Sequence, residues 1–301
     1  MLNFASNSLL IGDKMYTIIY KRKLNDHVTE LHIHAPLVAN KAKAGQFIIL
    51  RVTNDGERIP LTVAGIDREN GTVSIIFQTV GATTLALSML EVGDSLSDFC
   101  GPLGMPSEID GIKRALVIGG GVGCAIALPI ARALKENGCH VTSVIGFRSR
   151  ELVILENEFS EISDELYVVT DDGSYGEKGN VCLPTERLLS GGATFDHVFA
   201  IGPLVMMKYA VLTVRPYEIP VTVSMNPIMI DGTGMCGGCR LSLVEDGKRV
   251  MKFACVDGPD FNGYTVDFDE AISRLGAYTD FERHAYGVAC NLLKKGDANN
   301  G

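Results

Sequence analysis

Between residues 16 and 78, short β-branched stretches with alternating apolar and polar positions recur at 16–20, 28–33, 46–52, 61–66 and 72–78. Asp, Gly and Asn turns at 54–56 and 69–71 separate them, so each reads as a half-buried strand. Strands this short and numerous predict an antiparallel barrel. A helical run over 82–90 interrupts the pattern, strand and turn character returns at 93–97, and Pro102, Gly104, Pro106 and Gly111 punctuate its end.

A second rhythm follows. The apolar strand 114–118 runs into a glycine cluster, an apolar helix over 124–137 and a strand at 141–146. The alternation continues with helices at 152–162, 181–189 and 204–214 and strands at 166–170, 197–201 and 221–224. Unbroken apolar strands separated by helices predict a parallel sheet covered on both faces. Beyond it stand a glycine-rich loop, a hairpin pairing 240–244 with 249–253, and a polar, weakly periodic tail. The expected division is an extension over 1–14, a barrel over 15–111, an α/β domain over 112–225 and a cysteine-organised segment over 226–301. Met15, where the regular pattern begins, is an alternative start to Met1.

Composition narrows the function. With 27 basic against 36 acidic residues and a net charge of −9, the chain has no cationic stripe for a nucleic acid backbone. Its apolar runs are broken by glycine and closed by Arg132, Lys135 and Glu136, so none reads as a membrane span and the cytoplasm is the expected compartment.

Of the eight cysteines, Cys236, Cys239 and Cys255 fall within twenty residues. With Asp231 they read D-x4-C-x2-C…C, the spacing of a plant-type [2Fe–2S] centre with a carboxylate in the first position. Glycines at 232, 234, 237 and 238 allow the backbone to wrap closely and turn N–H groups toward sulfur. A zinc site built on the same donors is the rival reading, and unligated thiols are the third.

Three glycine loops follow predicted strands: Gly119, Gly120, Gly121 and Gly123; Asp172 and Gly173; and Gly202 with Pro203. Together they place a dinucleotide across the carboxyl edge of the sheet, with its pyrophosphate against bare backbone at a helix start. Arg148 and Arg150 follow the second strand of that sheet, where a 2′-phosphate would be recognised, so NADH and NADPH both stay open on residues alone.

These motifs, with Gly45-Gln46-Phe47, the segment Arg58, Ile59, Pro60, Leu61, Thr62, and Gly101 to Gly104, resemble the ferredoxin–NADP reductase superfamily. Within it the chain is similar to the branch containing electron-transfer subunits of dihydroorotate dehydrogenase and of NADH-dependent reduced ferredoxin:NADP oxidoreductase, also known as sulfide dehydrogenase. The resemblance runs from about Met15 to Tyr286. It implies FAD on the barrel, with Thr62 near flavin N5, Arg58 to Leu61 along the flavin, and Gly81 and Thr84 at its pyrophosphate. Ile59 and Leu61 align with the family's arginine and stacking tyrosine.

The resemblance also implies NAD(H) on the α/β domain and a larger partner subunit carrying flavin and [4Fe–4S] clusters. Through that partner, electrons would be exchanged with ferredoxin and NADP(H) by flavin-based bifurcation. Asp231 stands where the dihydroorotate dehydrogenase branch has a cysteine. Electron supply to dihydroorotate dehydrogenase or to a sulfide or polysulfide reductase is the alternative, and an iron-sulfur sensing or scaffold module is the non-enzymatic one.

Overall fold

A computed structural model describes residues 15–276 and Gly287. The 1–14 extension and the aromatic tail with Tyr278, Phe281, Arg283, His284 and Tyr286 lie outside the described residues.

Six strands form the first unit: β1 (Ile18–Lys23), β2 (Val28–His34), β3 (Phe47–Arg51), β4 (Arg58–Asp67), β5 (Thr72–Gln78) and β6 (Asp98–Leu103). Helices α1 (Pro36–Ala39) and α2 (Ala82–Met89) interrupt them. The order β1-β2-β5-β4-β3-β6 is antiparallel throughout, and the Thr17–Ser95 bridge brings the two edges together as a barrel. Ile18, Leu31, Ile33, Ile48, Leu50, Val63, Val73 and Phe77 fill it, since alternate side chains of each strand point inward. The final strand lies later than the 93–97 stretch that the sequence pattern favours: Asp98 to Leu103 pair with β3, while Gly93 and Asp94 turn onto β1.

The second unit contains β7 (Arg114–Gly120), α3 (Cys124–Glu136), β8 (His140–Phe147), α4 (Glu156–Ile162), β9 (Glu165–Thr170), β10 (Glu177–Lys178), α5 (Cys182–Ser190), β11 (His197–Ile201), α6 (Leu204–Val214) and β12 (Val221–Ser224). Its strands lie in the order β10-β9-β8-β7-β11-β12, all parallel. Ala115 and Val117 face one core and Leu116 and Ile118 the other, which explains the unbroken apolar run of β7. The helix expected over 152–162 is shorter, because Leu155 takes a left-handed φ of 61° while burying its side chain. Core packing outweighs periodicity there.

The last segment contributes β13 (Arg240–Glu245), β14 (Lys248–Phe253), α7 (Ala254–Asp257), β15 (Asp260–Asn262) and α8 (Phe268–Gly276). Strand β15 pairs antiparallel with β12 and extends the sheet of the second unit. The expected polar tail thus includes a helix, α8, started by Asp267, whose Oδ1 accepts the Glu270 N–H at 3.0 Å. Among the described residues no helix is long and apolar enough to cross a membrane.

Candidate functional site

Strand β4 decides which residues of the barrel face a neighbour. Ile59, Leu61 and Val63 pack into the barrel core, whereas Ala64 joins the core of the α/β unit. By alternation Arg58, Pro60 and Thr62 share the outer face with Ala64. Ile59 and Leu61 are half-buried against the barrel core, and Arg58, Pro60 and Thr62 form the outward set. Arg58 Nη2 lies 3.4 Å from Asp98, and its Nε is buried without a partner among the described residues. A guanidinium held this way fits an anionic group such as a pyrophosphate.

At α2, the Thr84 hydroxyl accepts the N–H groups of Val80 and Gly81, each at 3.0 Å, and fixes the helix start. A Cβ added to Gly81 would meet nothing within 4 Å, so its backbone is open to a ligand. Gly101 and Gly104 have a different setting. A Cβ at Gly101 would meet Ile48 Cγ2 at 2.6 Å, and one at Gly104, where φ is +74°, would meet Phe47 Cε1 at 2.8 Å and the Gly258 carbonyl at 2.9 Å. Both give clearance where β6 and the following linker cross their neighbours.

A cavity of about 740 Å³ opens at the carboxyl edge of the parallel sheet. It is lined by Gly120, Gly121, Gly123, Gly202 and Pro203, as the strand-end glycines predict. Gly121 has φ of +54° and open space beside its Cα, and α3 begins three residues later. Bare backbone thus faces the cavity at a helix start. Gly123 is held against Ile201 and Gly202, whose backbone atoms would stand 2.6 Å from an added Cβ. Gly119 packs against Cys124, while Asp172 and Gly173 form a turn beside the cavity: Asp172 Oδ1 accepts the Ser174 N–H at 2.9 Å and its hydroxyl at 2.6 Å.

Several lining residues carry no sequence signal. Asn25, His27 and Gln78 reach in from the barrel, and Asn226 reaches in from the segment after β12. Only the docking of the two units brings them together. Arg148 also lines the cavity, whereas the Arg150 guanidinium lies over the Tyr175 ring, 5.5 Å from its centroid.

In the cysteine loop, the Sγ atoms of Cys239 and Cys255 lie 3.1 Å apart and are buried. Burial and the neighbouring Cys239 thiol push Cys255 up to about 12. Cys236 is exposed, and its Sγ accepts the Gly238 N–H at 3.5 Å. Asp231 accepts the N–H groups of Thr233 at 2.9 Å and Cys236 at 2.8 Å, which hold its carboxyl below the ordinary range. Gly232, Gly234 and Gly237 have φ of +74°, +83° and +67°. This is the left-handed region that glycine enters without strain, and it permits the tight wrapping of the loop. Among the described residues no three His, Cys, Asp or Glu side chains already form a site for a single metal ion. Three sulfurs and one carboxylate on a loop that turns N–H groups toward sulfur nevertheless form a donor set suited to an iron-sulfur cluster.

Residues 226–267 match the iron-sulfur cluster binding domain of dihydroorotate dehydrogenase B. Over 275 residues the chain is 46% identical to a dihydroorotate dehydrogenase B (NAD(+)) electron transfer subunit homolog from Thermotoga maritima, covering 91% of this chain and 95% of that protein. The chain belongs to this family of electron-transfer subunits. The electron transfer subunit of Geobacillus thermodenitrificans is 34% identical over 85% of this chain and 99% of its own length. A solved chain of NADH-dependent reduced ferredoxin-NADP oxidoreductase, described in terms of flavin-based electron bifurcation, superposes with a TM-score of 0.85. It is 43% identical, with 92% of this chain and 98% of that chain covered. The family accounts for all three units: barrel, α/β domain and iron-sulfur segment.

Proposed function

We propose that the chain carries NADH in the cavity at the sheet edge, FAD on the outer face of β4, and a [2Fe–2S] cluster on Asp231, Cys236, Cys239 and Cys255. Bound FAD supplies the exchange between hydride transfer, which moves two electrons, and a cluster that takes one at a time. The residues of the chain bind and orient. Gly120, Gly121 and Gly123 bring backbone to the dinucleotide, Thr62 offers its hydroxyl at the reacting edge of the flavin, and Arg58 with Gly81 and Thr84 receives the flavin pyrophosphate.

The observation that carries this reading is that β3 and β4 lie between the cysteine segment and the α/β unit and pack against both. Thr62 and Pro60 are cross-strand partners of Phe47 and Ile49, which pack with Met229, Cys239 and Cys255 in one core, and Ala64 of the same face packs on the α/β unit. Exposed Ile228, Met235 and Val256 flank the cysteine loop, Met235 with 88% of its surface open. Apolar side chains displayed there suit coverage by a larger flavin and [4Fe–4S] subunit. The activity proposed is cytoplasmic ferredoxin:NADP transhydrogenation by flavin-based bifurcation. Electron supply to dihydroorotate dehydrogenase is the second reading, favoured by the match over 226–267.

Anaerobic measurement of iron, acid-labile sulfide and flavin, with EPR of the reduced parent and Asp231→Cys proteins, tests the assignment. Two irons, two sulfides and one FAD per chain are expected, with g-values and potential shifted in the variant. Bound zinc without labile sulfide would overturn the cluster, and identical spectra would remove Asp231 from the ligand set.

A further inference from the structure

The arm of the cysteine loop that holds Asp231 meets the barrel at Gly232. A Cβ added there would fall 2.7 Å from Leu103 Cδ1 and 2.8 Å from Ile49 Cδ1. Ile49 is fully buried, and its cross-strand partner is Pro60 on the outer face of β4. Such partners lie only about 4.5 to 5.5 Å apart between Cα atoms. From the face that carries Thr62 to the residue beside Asp231 there is thus one strand pairing and one van der Waals contact. The arm that holds Cys255 is fastened separately. Met105 N–H donates to the Gly258 carbonyl at 2.6 Å, Met225 N–H to the Pro259 carbonyl at 2.8 Å, and the Ser107 hydroxyl to Asp260 Oδ2 at 2.6 Å.

We propose that the seat of Gly232 on Ile49 and Leu103 is the positioning contact that fixes how far the cysteine loop stands from the flavin-facing side of β4. This rests on the functional reading above. Electron exchange between two centres decays exponentially with their separation, so a seat with no room for one methyl group sets a rate as well as a packing distance. Gly232 does not line the dinucleotide cavity, and its nearest neighbours are Leu103 and Ile49, not Thr62. Its role therefore separates from hydride transfer.

Gly232→Ala in the full-length, anaerobically reconstituted protein tests the seat. The variant should bind flavin and undergo flavin reduction by NADH at the parent rate, and its iron and sulfide content is measured so that coupling is read on the loaded fraction. Its cluster should be reduced several-fold more slowly, and the magnetic coupling between the flavin and cluster spins in EPR should weaken. Adding Ile49→Val and Leu103→Ala, which remove both obstructing Cδ1 atoms, should recover coupling and rate together in part, the rest of the loss belonging to the left-handed φ of +74° at residue 232. If Gly232→Ala fails to load its cluster, Leu103→Ala alone carries the test, because a loosened seat should weaken coupling and speed amide hydrogen exchange over residues 231–239. Parent-like coupling in a loaded Gly232→Ala protein, or failing that in Leu103→Ala, would overturn the seat while leaving the cofactor assignment standing. A parent protein without flavin or iron would overturn the functional reading and the seat with it.

Discussion

The dinucleotide cavity and the cysteine loop are both built around glycine, yet they differ in what holds them. Gly121 and Gly123 are held by β7, α3 and the end of β11, elements fixed by the two cores of the sheet. Bare backbone meets the cavity through these folded elements. In the cysteine loop, left-handed glycines are held by Asp231 and by contacts of the thiols with one another and with backbone N–H groups. Burial and the Cys239 sulfur 3.1 Å away disfavour the thiolate of Cys255. The first site is therefore formed by folding, and the second is completed by what it binds.

The largest expected departure comes from removing a sulfur from the loop. Cys255→Ala should abolish retention of iron and sulfide and loosen 226–239, while NADH still reduces bound flavin. Amide hydrogen exchange and metal analysis would check this; loss of dinucleotide binding in the same variant would break the contrast. The converse substitution is Gly123→Ala, which forces a methyl group against Ile201 and Gly202 backbone atoms 2.6 Å away. Overpacking of this kind costs about 1 to 3 kcal/mol. A lower denaturant midpoint and slowed flavin reduction by NADH are expected, with iron content near that of the parent.

The smallest effect concerns Asp260, which ties the linker after the barrel to the sheet edge. Burial raises its pKa, so above the ordinary carboxylate value, about 4, the folded chain holds a proton that the unfolded chain has lost. The associated stabilisation is complete below that value and fades as pH rises through the raised pKa. Asp260→Asn should remove this contribution from thermal unfolding curves across acidic to neutral pH. Where the parent carboxyl is already neutral, the stability change should stay below about 1 kcal/mol. An unchanged slope would show that Asp260 is not the group responsible.

Much of the architecture was legible because local patterns and tertiary demands agree. Strands β5, β11 and β12 and helix α6 fall at the expected residues, each with an apolar pattern that its burial requires. The glycines at strand ends and the Asp231 to Cys239 spacing are local as well, since both depend on backbone freedom and donor type within a few residues, whereas Cys255 reaches Cys239 only across the hairpin. Other features needed the assembled chain. The direction faced by β4 is one: Arg58 to Thr62 reads as a continuous motif, but only the filled barrel shows Ile59 and Leu61 turned inward.

Strand β15 is another such case. Three residues carry too little pattern to announce a strand, and the open edge of β12 supplies the hydrogen bonds that make them one. The same holds for the meeting of Asn25, His27 and Gln78 with the sheet glycines, and for the contact of Gly232 with Ile49 and Leu103. Backbone propensity and ligand chemistry act over a few residues and are written in the sequence. Facing, edge pairing and the spacing between sites depend on which surfaces exclude water together, and only the packed molecule decides that.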